Sequence, residues 1–347
     1  MKSLQIDISD CHYQAMVGVG GIGSGAFFAL EGNHTLGREE SRSGRFLDRR
    51  DYCKLHIISH YVKTLLGSEF ATFPVGKVGD DEVGQQVFDE MQDAGLDMRY
   101  VKFSPGDQTL FSFCFLYPDG SGGNMTVNDS ACAKVDAAFV GKAEPEFARY
   151  AGRGIALAAP EVPLEAREKL LDLGTAHHFL RVASFVSTEM CSAMETGLLS
   201  KTDLLAINLD EAGAAVGMSA EDTPPRAIVE AVVEILCKHN PDILVSVTAG
   251  KNGSWSWDGE SLVHVPVFRT EVVNTAGAGD AHLSGMVAGL VAGLPMAQVQ
   301  ELGTLVAALS LTSPHTIAPE IERQSLSRFA VRAQPPVCDA VRSLLEG

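Results

Sequence analysis

The 347-residue sequence is poor in basic residues: 27 Lys and Arg stand against 44 Asp and Glu, a formal net charge of −17. Phosphate backbones and anionic bilayers recruit basic surfaces, so neither a nucleic acid nor a membrane surface is expected as a partner. A small anionic substrate is still admitted, because a site can be locally positive. Long apolar runs are missing too. The longest, around Met286–Leu294 and Leu305–Leu311, fall short of the ~20 residues a spanning helix needs. Met1 to Asp10 contains Lys2, Asp7 and Asp10 and no apolar h-region, so no signal peptide is expected. No C-x-x-C pair occurs among the seven widely spaced cysteines. Their odd number predicts reduced thiols in a cytoplasmic protein, serving as small buried hydrophobes. There is no internal repeat and no low-complexity tract.

What is present suits a large core, since 46% of residues are apolar. Strand-like runs (Ala15–Val19, Phe70–Pro74, Ile155–Ala158, Phe179–Ser184, Asp203–Ile207, Ile243–Val247) alternate with helical patterns such as Glu82–Ala94, Leu164–Leu173 and Ala227–His239. That alternation predicts βαβ units and a mostly parallel sheet flanked by helices. One α/β domain is expected over residues 1–347, mainly helical from Ala278 onward. Tyr100–Phe103 and Thr109–Leu116 read as antiparallel strands ahead of a turn at Tyr117-Pro118-Asp119-Gly120. A small β-sheet lid is expected from strands within 10–25 and 98–128. Glu31–Asp51 is polar, without periodicity, and reads as a loop excursion or an insertion.

Gly277-Ala278-Gly279-Asp280 follows a strand-like stretch (Leu262–Val273) and opens an apolar helix, Ala281–Leu294. Small residues at a helix start leave several N–H groups free, and with the helix dipole these make an anion site. An aspartate beside such a site can accept the proton of an attacking hydroxyl. On spacing alone, a glycine turn with a capping aspartate explains the segment equally well. Gly285, Gly289 and Gly293 share one helix face and permit close approach of a neighbour.

Asn274-Thr275-Ala276-Gly277-Ala278-Gly279-Asp280 resembles the D-T-x-G-A-G-D signature of the ribokinase-like (PfkB) carbohydrate kinases. Companions follow in order. Val245–Gly253 resembles the strand ending in T-x-G-x-x-G, and Asn208-Leu209-Asp210-Glu211 resembles N-x-x-E. Gly76–Gly84 resembles G-x-V-G-x-D-x-x-G, Thr304–Thr312 the Ala-rich helix beside the adenine, and Ala159–Pro163 the stretch with a sugar-side glutamate. The resemblance implies a ribokinase-like α/β fold and transfer of the ATP γ-phosphoryl group to a hydroxyl. It implies Asp280 as catalytic base and Gly277, Ala278 and Gly279 as the anion hole. Asn208, Glu211, Thr248, Gly250 and Gly253 are implied at the nucleotide, with Glu211 acting on Mg²⁺, and Glu161, Gly23 and Ser24 at the acceptor. A lid-mediated homodimer is common in such proteins.

Departures from the family pattern gather on the acceptor side. Gly20–Gly25 replaces the family's aspartate after the first strand, and Tyr52–Leu65 lacks the G-G-x-x-x-N stretch before Leu66-Gly67. The region carries Arg38, Arg42, Arg45, Arg49, Arg50 and Lys54 against Glu39, Glu40, Asp48 and Asp51, six cations less four anions, a local charge of +2. An acidic or phosphorylated acceptor is compatible with this, although composition also describes a solvated loop. Asn274 stands where several members use an aspartate at a monovalent-cation site, so a requirement for K⁺ does not carry over. His282 replaces a common aromatic. Two other readings stay open. Gly18-x-Gly20-x-x-Gly23, with Glu39 or Glu40 beyond it, is a dinucleotide-binding fingerprint that suits an NAD-dependent oxidoreductase. A catalytically weak sugar- or nucleotide-binding regulator is the third.

Overall fold

A computed structural model describes residues 3–119 and 122–346. The strands, in chain order, are β1 (Ala15–Val19), β2 (Gly23–Leu30), β3 (Gly44–Phe46), β4 (Asp51–Tyr52), β5 (Ala71–Gly79), β6 (Val101–Ser104), β7 (Leu110–Leu116), β8 (Gly122–Thr126), β9 (Gly154–Ala158), β10 (Leu180–Ala183), β11 (Leu204–Asn208), β12 (Leu244–Thr248), β13 (Ser254–Trp257) and β14 (Leu262–Val265). The larger sheet has the order β14-β13-β12-β11-β10-β9-β1-β5-β6. It is parallel from β12 to β6, and β13 and β14 run antiparallel at the far edge. Strands β1 and β9 are buried along their whole length, which is why their sequences are apolar without alternation. One apolar core lies on each face of this sheet. The fold is the ribokinase-like α/β architecture.

The smaller sheet has the order β3-β2-β7-β8, with β4 paired to β2. Its make-up corrects the expected lid. β1 belongs to the large sheet, and so does β6, which pairs parallel with β5. β7 instead joins β2 in parallel, Gly23 opposite Leu110. Burial overrode local pattern here: Tyr100–Phe103 and Thr109–Leu116 look alike as apolar runs, but the first caps an open edge of the large sheet. Segment 31–51, which had no readable periodicity, supplies β3 and β4 of the lid. The turn expected at Tyr117–Gly120 ends on Gly120, outside the described residues.

The glycine fingerprint after β1 is not followed by a helix; Gly23 opens β2. Its glycines serve close packing. A Cβ on Gly23 would lie 2.1 Å from the Leu110 carbonyl oxygen, across the β2–β7 pair. The dinucleotide-binding arrangement therefore does not form. In the buried helix Ala278–Val291, a Cβ on Gly285 would stand 2.8 Å from Gly303 Cα of the helix Met296–Ser310. Gly289 packs against Val299, while Gly293 lies past the helix end with nothing within 4 Å. Two of the three expected close approaches are thus realised.

Among the described residues no helix is long and apolar enough to cross a membrane. All seven cysteines are free thiols; Cys53, Cys114 and Cys132 are buried and Cys191 is exposed.

Candidate active site

The site forms at the carboxyl ends of β9, β10, β11 and β12, where open parallel sheets place their clefts. Gly277 has φ 76° and caps the helix that begins at Ala278. A side chain here would strain the backbone, and a Cβ would lie 3.0 Å from the Thr316 carbonyl oxygen. Among the described residues the N–H groups of Gly277 and Gly279 have no acceptor, as expected for a helix start. Asp280 sits in the first helical turn with its side chain 15% exposed.

Opposite stands Lys54, the first residue of the helix Lys54–Leu66. Its ammonium lies 3.9 Å from Asp280 Oδ1. Asp280 first, then Glu161 and Glu211, hold the Lys54 pKa above its ordinary value, against the effect of burial. Burial raises the Asp280 carboxyl, and Lys54 pulls it back down. Glu161, just past β9, has φ 75°, and its Oε2 accepts the Lys54 backbone N–H at 3.1 Å. Burial pushes the Glu161 carboxyl up to about 7, with Lys54 opposing.

Asp280 and Lys54 form a partition between two cavities. One, of about 350 Å³, lies under the lid and is also lined by Asp51, Ser112, Asn124, Glu161, Asn274 and Gly277. The other, of about 70 Å³, is lined by Asn208, Glu211, Thr248, Gly279 and His282. The Glu211 carboxylate has a structural task as well. Its Oε2 accepts the Asn208 N–H at 2.8 Å, and Asn208 Oδ1 accepts the Glu211 N–H at 2.8 Å, a reciprocal cap on the helix Leu209–Val216. Burial pushes the Glu211 carboxyl up to about 7. The second cavity's wall is held from behind. Arg167, fully buried, donates to the Ser184 carbonyl oxygen at 3.1 Å and to Glu189 at 2.5 Å, beneath Phe185.

A sequence model described as "pfkB family carbohydrate kinase" matches residues 60–323 of the chain. The chain belongs to the pfkB family. A sugar kinase of Escherichia coli K12, YegV, is 44% identical over 61 residues, covering 18% of this chain and 19% of that protein. The ATP-dependent 6-phosphofructokinase of Thermoanaerobacterium thermosaccharolyticum is 33% identical over 114 residues, 33% of each chain. The chain thus aligns with a third or less of these relatives' length. Among solved structures, ribokinase from Giardia lamblia superposes with a TM-score of 0.77 at 17% identity, over 90% of this chain and 99% of that one. A Burkholderia thailandensis nucleoside kinase in complex with inosine gives 0.67 at 17% identity, over 91% and 98%. At these identities the likeness shows the fold.

The pfkB match begins at residue 60, after the stretch that carries Asp51 and Lys54. Sequence reasoning counted both only as charges in a mixed segment. One signal was present: Lys54 is a cation at the positive end of a helix dipole, an unfavourable position unless it faces carboxylates. Gly23 and Ser24, expected at the acceptor, line neither cavity. Ser24 instead lies behind a lining residue, its Oγ donating to the Asp51 carbonyl oxygen at 3.2 Å. Gly250 and Gly253 also line neither cavity. They shape the β12–β13 turn beside Thr248, where Ala249 N–H donates to the Gly253 carbonyl at 2.8 Å. Asn274 ties two loops together: its Nδ2 donates to the Pro314 carbonyl at 3.0 Å, and its Oδ1 accepts the Ala276 N–H at 3.2 Å. The His282 ring is buried, which pushes its pKa down to about 4.

Proposed function

We propose that this pfkB chain transfers the γ-phosphoryl group of ATP to a hydroxyl of a sugar or related small metabolite, with Asp280 as general base. The observation that carries the reading is the position of Asp280. It lies beside Lys54 on the partition between the lid-side cavity and the cavity of Asn208, Glu211 and Thr248. An acceptor on the lid side presents its hydroxyl to the Asp280 carboxylate, which takes the proton as the oxygen attacks. The new O–P bond forms as the bond from the γ-phosphorus to its bridging oxygen breaks, and ADP leaves with that electron pair. The free amides at Gly277 and Gly279 face the charge on the transferred group, whereas the Ala278 N–H, expected to share that task, donates to the Thr275 carbonyl oxygen at 3.3 Å. Lys54 stays protonated and lowers the cost of ionised Asp280 in a buried place.

The second cavity offers oxygen donors: the Glu211 and Asp280 carboxylates and the Thr248 hydroxyl. Among the described residues no three His, Cys, Asp or Glu side chains form a metal cage. That donor set suits Mg²⁺, which binds through one or two carboxylates, waters and substrate phosphates. Glu211 would hold it. When bound, the ion neutralises charge on the phosphoryl oxygens. The Asn274 amide, tied up with Pro314 and Ala276, brings no charge to attract K⁺.

The test is Asp280→Asn, assayed for ADP formation with an accepted sugar. A loss of about 10²–10⁴-fold in kcat is expected for removal of a general base. A near-wild-type rate would sink the assignment.

A further inference from the structure

Strand β4 is held on both of its edges. On one it pairs with β2, Ser24 opposite Tyr52 and Gly25 opposite Asp51. On the other it meets the core loop that follows the helix Met296–Ser310. The Arg50 N–H, just before β4, donates to His315 Nδ1 at 2.9 Å, and the Arg50 carbonyl oxygen accepts the Thr316 N–H at 3.1 Å. The Tyr52 N–H donates to Thr316 Oγ1 at 3.0 Å. The proton of that hydroxyl has two acceptors in reach, the Asp51 carboxyl and, at 3.5 Å, the Arg50 carbonyl oxygen. Burial pushes the Asp51 carboxyl up, and hydrogen bonds from Ser112, Cys114, the Tyr52 N–H and Thr316 pull it back. Thr316 is thus bonded to three successive residues of the lid's shortest strand and its approach.

The same residue is fixed from the core. Thr316 is 2% exposed. Its carbonyl oxygen accepts the hydroxyl of Tyr61, from the helix that Lys54 begins, at 3.0 Å, and the Tyr61 oxygen in turn accepts the Ala318 N–H at 2.6 Å. That carbonyl oxygen lies 3.0 Å, and Thr316 Cβ 3.1 Å, from where a Cβ on Gly277 would stand. The bare Gly277 turn therefore packs directly on Thr316. Thr316 itself lines neither cavity. Its side chain holds Asp51 and Tyr52, which line the lid-side cavity, while its backbone abuts the turn whose amides face the transferred group.

We propose that Thr316 is a positioning residue that registers lid strand β4 against the anion-hole turn at Gly277, so that one residue sets both the acceptor wall and the anion hole in place. The proposal rests on the kinase reading of the site. A catalytic constellation works only while its supporting residues are themselves locked by packing and hydrogen bonds. Here the lock is a single hydroxyl on the lid side and a tyrosine-pinned carbonyl on the core side. Loss of the hydroxyl loosens the lid wall without touching the nucleotide cavity.

The test uses the full chain and two readouts. Amide hydrogen exchange at Tyr52 is followed without any ligand. Initial rates are measured with ATP, Mg²⁺ and the free pentose or hexose that the wild type turns over fastest. Thr316→Val keeps the side-chain shape and the backbone bonds but removes the hydroxyl. Exchange at Tyr52 is expected to quicken about five- to tenfold, and KM for the sugar to rise about five- to tenfold, the size of one lost hydrogen bond, with KM for ATP unchanged. Thr316→Ser, which keeps the hydroxyl, is expected to restore both. Unchanged Tyr52 exchange in Thr316→Val overturns the proposal. So does a KM for ATP that rises together with that for the sugar, which marks a general loosening, and so does a Thr316→Ser protein as impaired as Thr316→Val, which marks a packing role for the methyl group. If the wild type turns over no sugar, the kinase reading falls and the exchange rates alone decide whether Thr316 holds β4. Should Thr316→Val fail to fold, Tyr61→Phe frees the Thr316 carbonyl from the core side. Faster exchange at Tyr52 in that variant supports the link, and unchanged exchange overturns it.

Discussion

The Lys54 ammonium lies 3.9 Å from Asp280 Oδ1, and each residue stands in the first turn of its own helix. Both helix dipoles favour the carboxylate there and disfavour the ammonium. The pair is therefore held by its own attraction and by Glu161 and Glu211 around it. It lowers the Asp280 pKa against the upward pull of burial.

Removing that cation shifts the pH dependence of turnover. Lys54→Met takes away the charge that stabilises ionised Asp280, so the Asp280 pKa rises. Since the base works only when deprotonated, the acid limb of the kcat–pH profile moves to higher pH, by about 1–3 units for a charge at this distance. A profile recorded for both proteins with a saturating acceptor checks it. An unmoved acid limb would disconnect Lys54 from the base.

The backbone at Gly277 gives a second expectation. With φ at 76° and the Thr316 carbonyl oxygen 3.0 Å from where a Cβ would stand, Gly277→Ala strains the helix start. A stability loss of about 1–3 kcal/mol is expected for a side chain forced into this region, read from a urea midpoint. Turnover falls further than stability, because the amides that face the transferred group move with the turn. Equal losses at Gly217→Ala, which has φ 67° and nothing near its Cβ, would reduce the effect to backbone strain.

Glu211 has two separable tasks. In Glu211→Gln the side chain still accepts the Asn208 N–H, so thermal stability holds, while the lost charge raises the Mg²⁺ concentration needed for half-maximal turnover. In Glu211→Ala the cap goes too, and about 0.5–2 kcal/mol of stability goes with it. Melting curves and Mg²⁺ titrations of the two variants separate these effects. Identical Mg²⁺ dependence in Glu211→Gln and wild type would confine Glu211 to capping.

Burial makes the protein's stability fall with rising pH through Glu161. Its carboxyl titrates near 7 in the folded chain against an ordinary value of 4.5. The folded state therefore holds the proton more tightly, and this contribution is complete below about 4.5 and lost as pH rises toward 7. Glu161→Gln removes that slope. Urea midpoints at several pH values between 5 and 8 should decline less steeply in the variant; parallel declines would place the titration elsewhere.

Much of the large sheet was legible because parallel strands buried on both faces are written as short apolar runs. The runs at 15–19, 155–158 and 203–207 fall on β1, β9 and β11. The lid was legible only in part: β7 and β8 fall within the expected 98–128 window, while its other strands were hidden for the opposite reason. β2 is glycine-rich and only partly buried, β3 is fully exposed, and β4 is two residues long. None bears an alternation strong enough to read. The polar stretch 31–51 looked like an excursion because its partners are distant in sequence: Asp51 meets Ser112 from 61 residues away.

The sequence by itself determined the family and the fold. Its ordered motifs and apolar periodicity depend on local residue types, which need no knowledge of distant contacts. It also placed a helix start at Gly277–Asp280, since small residues before an apolar helix have few other uses. Only the tertiary structure decided what surrounds that helix start. Lys54, Asp51 and Glu161 reach Asp280 or its cavity from separate elements, and their charges acquire meaning through distance and burial. Among the described residues none of the arginines that gave residues 38–54 a positive balance lines the cavity, and Lys54 alone of that segment's cations does, so the composition of the segment did not foretell which of its charges meet an acceptor.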